Sequence, residues 1–373
     1  MYSIDEHLGY VSDLVRLEAY QAAVTRTVRE GSLVADLGCG TGILGLMCLC
    51  AGAARVYGID SSAMVDVARA SFSRAGLLDK SVFIRSHSAR TDLPEKVDLV
   101  ICDQVGHFGF DAGIVQYFVD ARRRFLKPGG TLIPGRLRLY AAAVESAECY
   151  RPVAAWEDEA VPPALRWLRD YAVNTRHAAR LTPAELLSPP ILLGDIDLHA
   201  DDPALFSWKV SLPIQRKGAL HGVAGWFECE LADGVWMTNS PLAERPIKRA
   251  QAFLPIREAV EVNPGERLGV TVMAKPRDEM IAWVVELPSG QCFRHSTWQG
   301  MPLAPGDLDR ARPTRAPQLS REGRARATVL AYCDGRRTAG EIERQVLSDY
   351  PDLFPSPEET ARFVARVLSK DTE

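Results

Sequence analysis

The sequence predicts an α/β protein in three parts: a parallel sheet with helices on both faces, an antiparallel β-barrel or sandwich, and a small helical domain. Three observations carry this. Up to Val144, short apolar runs alternate with stretches of helical spacing, the pattern of βαβ units. Beyond Ala204, short alternating segments separated by turn residues take over, as antiparallel sheets require. From about Leu319 the helical pattern returns.

The elements follow in order. Residues 10–29 place Leu14, Leu17, Tyr20 and Val24 on one side of a helix. SLVADL is a short buried strand, and a helix runs from Ile43 to about Ala51 after a glycine loop. RVYGID is the second strand, AMVDVARASFSRAG its helix, VFIRSH the third strand and VDLVICD the fourth. AGIVQYFVDARRRFL is a helix stopped by KPGG, and TLIPGRLRLYAAAV is extended. The stretch from Glu148 to Val173 reads as helical and irregular. Then come the strands LFSWKVSLPI, GVAGWFECEL, RAQAFLPI, RLGVTVMAK, MIAWVVELP and QCFRHSTW. Residues 302–318, rich in Pro, Arg and Asp, form a linker. Three helices close the chain, with Thr338 and Ser356 as N-caps of the last two. The predicted division is 1–136, 137–301, the linker 302–318 and 319–373.

The 373 residues are 47% hydrophobic and 25% charged, an ordinary composition for a folded chain with a sizeable core, and a net charge of −4 gives no general field for nucleic acid. No apolar stretch is long enough to span a bilayer. The N-terminus lacks a signal pattern. Eight cysteines are scattered without a CxxC pair, and Cys48 and Cys50 stand two apart on a helix, on different faces, so no metal site is expected. Buried thiols in a reducing compartment and a cytoplasmic protein are the expectation.

VADLGCGTGILGL holds the informative loop. Gly40, Gly42 and Gly45 satisfy G-x-G-x-x-G, and Asp36, Gly38, Gly40 and Gly42 form the fuller Asp-x-Gly-x-Gly-x-Gly. Glycine lets a ligand lie against the main chain, and the loop feeds a helix N-terminus that favours an anionic group. Asp60 closes the second strand, where a carboxylate can accept both hydroxyls of a ribose. A tight strand-to-helix turn also wants glycine; the loop together with Asp60 is the stronger signal.

ADLGCGTGILGL followed by GAARVYGIDSS resembles the first two motifs of class I S-adenosylmethionine methyltransferases, and more narrowly the protein arginine methyltransferase family. HLGYVSDLVR is similar to that family's N-terminal cofactor-covering helix, VDLVICDQVGHFGF to its loop of two catalytic glutamates, and FLKPGGTLIPGRLRLYAAAV to the segment leading into its β-barrel. The resemblance covers about residues 2–290. It implies a Rossmann-like domain that binds S-adenosylmethionine. His7 and Arg16 match residues of the covering helix. Arg16 would pair with the cofactor carboxylate, Asp36 would meet its ammonium directly or through water, Gly38, Gly40 and Gly42 would pass close to its methionine part, Asp60, where the family has glutamate, would hold the ribose, Ser61 is a further cofactor-binding candidate, and Ser88 would meet the adenine edge. A solvated arginine and a solvated loop serine are the plainer readings of Arg16 and Ser88. The resemblance also implies a homodimer, paired through a helical arm over about residues 155–185, in which Leu165, Trp167, Leu168 and Tyr171 lie close to one face.

The acceptor half departs from the family. The first glutamate position holds Asp103. The second falls on Ala112, with Asp111 one place earlier, and His107 replaces a tyrosine. The family's Thr-His-Trp triplet falls on about Ile247, Lys248 and Arg249 and is missing. Asp103, Asp111 and His107 are the candidate catalytic residues, against a structural strand-end carboxylate for Asp103 and a surface residue for His107. HSTW at 295–298 reads as a strand end. LAYCDGRRTAGEIERQVLSDYPD resembles the helical part of the small peptide-binding domain of pyrroloquinoline quinone biosynthesis, with a structural tail as the alternative. The expected function is methyl transfer to a nitrogen of a protein or peptide. A natural-product tailoring methyltransferase, on a ribosomal peptide or a small molecule, and a non-catalytic binding module are the competing readings.

Overall fold

The structure, a computed structural model, describes residues 4–372; residues 1–3 and 373, which belong to the first and last predicted domains, lie outside it. The chain divides into two compact units, one ending at Pro302 and one beginning at Leu303. The predicted Rossmann-like and barrel parts together make up the first of them.

The first unit opens with α1 (Ile4–Val11) and α2 (Leu14–Thr27). The single predicted helix is broken because Asp13 caps the second piece, its side chain accepting from the Arg16 N–H. Tyr20 and Val24 are buried as expected, but Leu14 in the first turn is 66% exposed. Then come β1 (Leu33–Leu37), α3 (Ile43–Cys50), β2 (Arg55–Asp60), α4 (Met64–Arg74), β3 (Ser81–Arg85), β4 (Val97–Cys102), α5 (Ile114–Arg124) and β5 (Leu126–Ile133). The five strands form one parallel sheet in the order β3-β2-β1-β4-β5. Val34, Ala35, Val56, Tyr57, Val100 and Ile101 are wholly buried in its middle, as strands covered on both faces must be.

Two antiparallel sheets follow. One is built from β6 (Arg136–Val144), β7 (His177–Ala179), β8 (Ile191–Asp197), β10 (Gly218–Ala232), β11 (Val235–Thr238) and β12 (Gln251–Val262); the other from β9 (Phe206–Pro213), β13 (Arg267–Lys275), β14 (Met280–Glu286) and β15 (Cys292–Ser296). Between β6 and β7 lie α6 (Ala147–Ala154), two 3₁₀ turns and α7 (Arg169–Val173). Here Leu165 and Trp167 are 45% and 57% exposed, so the predicted apolar stripe is not core. His295 sits on β15, a strand end as read, packed on Trp283 at 5.5 Å.

In the second unit the predicted linker contains the short exposed helix α8 (Pro305–Arg310). Then α9 (Arg321–Tyr332), α10 (Ala339–Asp349) and α11 (Pro357–Asp371) pack around Val329, Ile342, Val346 and Val364. Thr338 and Ser356 cap α10 and α11 as predicted, Thr338 in a full capping box with Glu341. Among the described residues no helix is long and apolar enough to cross a membrane.

Candidate active site

Strand order in the parallel sheet reverses between β1 and β4, and the crevice at the carboxyl ends of the strands around such a point is where open α/β sheets hold ligands. A cavity of about 260 Å³ opens there, with walls from the loops after β1, β2, β3 and β4 and from α1 and α2.

Its floor is the glycine loop. Gly38, Gly40 and Gly42 have φ of 67°, 52° and 83°, a region L-residues enter at a cost. A Cβ on Gly38 would stand 2.7 Å from the Gln104 amide nitrogen. Gly42 works differently from the expectation. It is absent from the cavity wall; a Cβ there would meet the Phe72 ring of α4 at 2.8 Å, so this glycine lets α3 begin against α4. Asp36 lies beneath the loop. It is 1% exposed, its Oδ2 accepts from the Gly45 N–H at 2.9 Å, and it braces α3 beneath the loop instead of lining the cavity. Burial pushes its carboxyl up to about 7.

Asp60 stands at the end of β2 as read. One oxygen accepts from the Gly40 N–H at 2.9 Å, the other from the Ser62 N–H at 2.8 Å and hydroxyl at 2.7 Å. The carboxylate is thereby aimed into the cavity beside Ser61. Ser88 lines the far wall and is 7% exposed; Arg124 fixes its loop by donating to the Ser88 and Thr91 carbonyls. His7 and Arg16 reach the wall from α1 and α2.

Asp103 follows directly on β4 and joins the two halves of the site. Its Oδ2 receives Arg16 through Nε and Nη2, both at 2.6 Å, and Arg249 Nη2 at 3.2 Å; its Oδ1 accepts from the Tyr20 hydroxyl at 3.0 Å. Burial alone would raise this carboxyl, but the Arg249 and Arg16 guanidiniums hold it below the usual carboxylate range. Asp111 and His107 are not brought to the cavity. They share Arg176, whose Nε lies 3.1 Å from Asp111 Oδ2 and whose Nη1 donates to His107 Nδ1 at 2.9 Å. Asp111 also accepts from the Phe108 N–H at 2.8 Å, closing its own loop. Burial and Arg176 lower the His107 pKa, which leaves the ring neutral with Nδ1 engaged.

Sequence reasoning missed Tyr10, Gln104, His87 and Tyr117 on the wall, and Tyr20, Arg176 and Arg249 around it. Arg249 had a signal: it stands where the Thr-His-Trp triplet was expected, and that position does reach the site. The loop glycines, Asp60 and Arg16 fit S-adenosylmethionine, whose ribose diol, ammonium and carboxylate need a carboxylate, bare backbone and a cation.

Comparison with known proteins agrees. Residues 34–130 match the family model described as a methyltransferase domain, and residues 136–283 match the arginine methyltransferase oligomerization subdomain. A probable protein arginine N-methyltransferase of Oryza sativa subsp. japonica is 29% identical over 293 residues, 74% of this chain and 71% of that protein. A protein arginine N-methyltransferase of Dictyostelium discoideum is 27% identical over 282 residues, 73% of this chain and 82% of that one. Among solved structures, the Trypanosoma brucei PRMT1 enzyme-prozyme heterotetrameric complex with AdoHcy superposes with a TM-score of 0.68 at 19% identity, covering 79% of this chain and 98% of that one. The Arabidopsis thaliana protein arginine methyltransferase 10 gives 0.66 at 22% identity with the same coverage. With both models matched in order over the parallel sheet and the antiparallel sheets, the chain belongs to the class I S-adenosylmethionine-dependent methyltransferases of the protein arginine methyltransferase type.

Proposed function

We propose that this enzyme methylates a nitrogen on a protein or peptide, working as a homodimer in the cytoplasm. The observation that carries the acceptor chemistry is Asp103, a buried, ionised carboxylate on the cavity wall, held by Arg16, Arg249 and Tyr20. S-adenosylmethionine supplies a methyl group already activated on a sulfonium. An acceptor aligned at contact distance then needs little more than positioning. Asp60 and Ser61 would hold its ribose, Arg16 its carboxylate and the glycine loop its methionine part. Asp103 orients the acceptor and receives its N–H.

The relatives' names point to arginine as the acceptor residue. The matched oligomerization subdomain and the exposed Leu165 and Trp167 support a dimer; light scattering that shows only monomer at tens of micromolar would remove it. Eight unpaired thiols suit a reducing compartment. The natural-product reading is favoured by one observation, that Asp103 and Asp111 are both already paired with arginines of the chain itself.

Asp103→Asn tests the assignment. Turnover is expected to fall about 100-fold, the range of a lost acid–base group, with S-adenosylhomocysteine affinity within a few-fold of the parent. Unchanged turnover would take Asp103 out of the reaction.

A further inference from the structure

Asp103 lines the cavity, yet its oxygens are engaged by the chain itself. The two guanidiniums that reach it are not equivalent. Arg16 comes from α2, meets one oxygen through Nε and Nη2 at 2.6 Å each, and donates through Nη1 to the Tyr10 carbonyl at 3.1 Å. Arg249 makes one longer contact, Nη2 to the same oxygen at 3.2 Å, and its Nη1 is buried without a hydrogen-bond partner. A buried donor without an acceptor costs free energy. Arg249 is therefore the weaker partner of Asp103 and the one more readily displaced.

What Arg249 occupies is a seat suited to a guanidinium. A carboxylate meets the planar fork, and the Tyr10 ring lies 5.9 Å from the fork's central carbon, within reach of a cation–π contact. Asp103 and Tyr10 both line the cavity, so the seat opens onto it; Arg249 reaches the same two groups from the irregular segment between β11 and β12 and is not part of the cavity wall. That segment is tied down at Lys248, whose N–H donates to the Asp13 carboxylate at 2.7 Å. Emptying the seat needs only the Arg249 side chain to turn, with its backbone held.

We propose that Arg249 is an internal occupant of the acceptor seat: its guanidinium holds Asp103 in the resting enzyme, and the guanidinium of the substrate arginine takes its place, like for like. The charge on Asp103 is matched before and after the exchange. The apparent affinity for substrate is lowered by the fraction of molecules in which Arg249 is seated. The proposal rests on the arginine acceptor given above.

The test measures binding without turnover. Two pentapeptides, blocked at both ends and alike except for arginine or lysine at the centre, are titrated calorimetrically into the full chain saturated with S-adenosylhomocysteine. The arginine peptide is expected to bind Arg249→Ala about 10-fold or more tighter than it binds the parent, the gain from freeing a seat about nine-tenths filled. The lysine peptide, without a planar fork, should gain about 3-fold at most. Arg249→Met, which keeps the stem without the fork, should show the same gain as Arg249→Ala. An arginine that served only as a brace would give weaker binding when removed. Unchanged or weaker binding of the arginine peptide in the variants, or an equal gain by the lysine peptide, would overturn the proposal. So would loss of S-adenosylhomocysteine binding in both variants, which would make Arg249 a structural brace. Methyl transfer to the arginine peptide without the gain would remove the internal occupant and leave the proposed function; the gain without transfer by parent or variant would do the reverse.

Discussion

Asp36 and Asp103 are both buried aspartates at the strand ends of one sheet, and their surroundings drive them in opposite directions. Asp103 meets two guanidiniums and stays ionised; Asp36 has one backbone N–H and is pushed by burial up to about 7. A carboxyl raised in the folded state contributes stability that is complete below its unfolded value of 3.8 and is lost as pH rises through about 7. Asp36→Asn keeps an acceptor for Gly45 and cannot ionise. Melting curves from pH 6 to 8 should show the parent losing stability relative to this variant, by about 1–3 kcal/mol; parallel curves would contradict the assignment. At this scale Asp60 was legible because its meaning depends on neighbours in sequence, a strand before it and a turn after. Arg249 was not legible as a partner of Asp103, because 146 residues separate them and nothing local encodes the contact. Its letter showed only that the expected triplet was missing.

At the scale of elements, the glycine loop was legible because positive φ leaves few residues to choose from. What each glycine faces was not. Gly42 serves the packing of α3 on α4, and Gly42→Ala adds both an unfavourable φ and a clash with Phe72. Chemical denaturation should show a loss of about 3 kcal/mol, and a neutral result would contradict that role. The strands β9, β10, β12, β13, β14 and β15 were legible from alternation. The three-residue β7 and four-residue β11 were not, since their pairing with β12 and β10 defines them more than their own letters do. Helix α2 was placed but its exposed first turn was not, because Asp13 begins a new helix inside a continuous helical pattern.

At the scale of the molecule, the order of parts was legible, and the packing of the first two into one unit was not. Both family matches end by residue 283, so the helical second unit lies outside the matched residues. Its caps and core follow from its sequence. The substrate half is where the architecture and the local chemistry part: the sheets match the family models, while Arg249, beside Asp103, stands where the resemblance places the Thr-His-Trp triplet. The most direct measurement is transfer of labelled methyl from S-adenosylmethionine to an arginine-rich peptide mixture and, separately, to host lysate fractions above and below about 3 kDa. The account predicts label on peptide or protein nitrogen, lost in Asp103→Asn. Tight S-adenosylhomocysteine binding with no label in any fraction would contradict it.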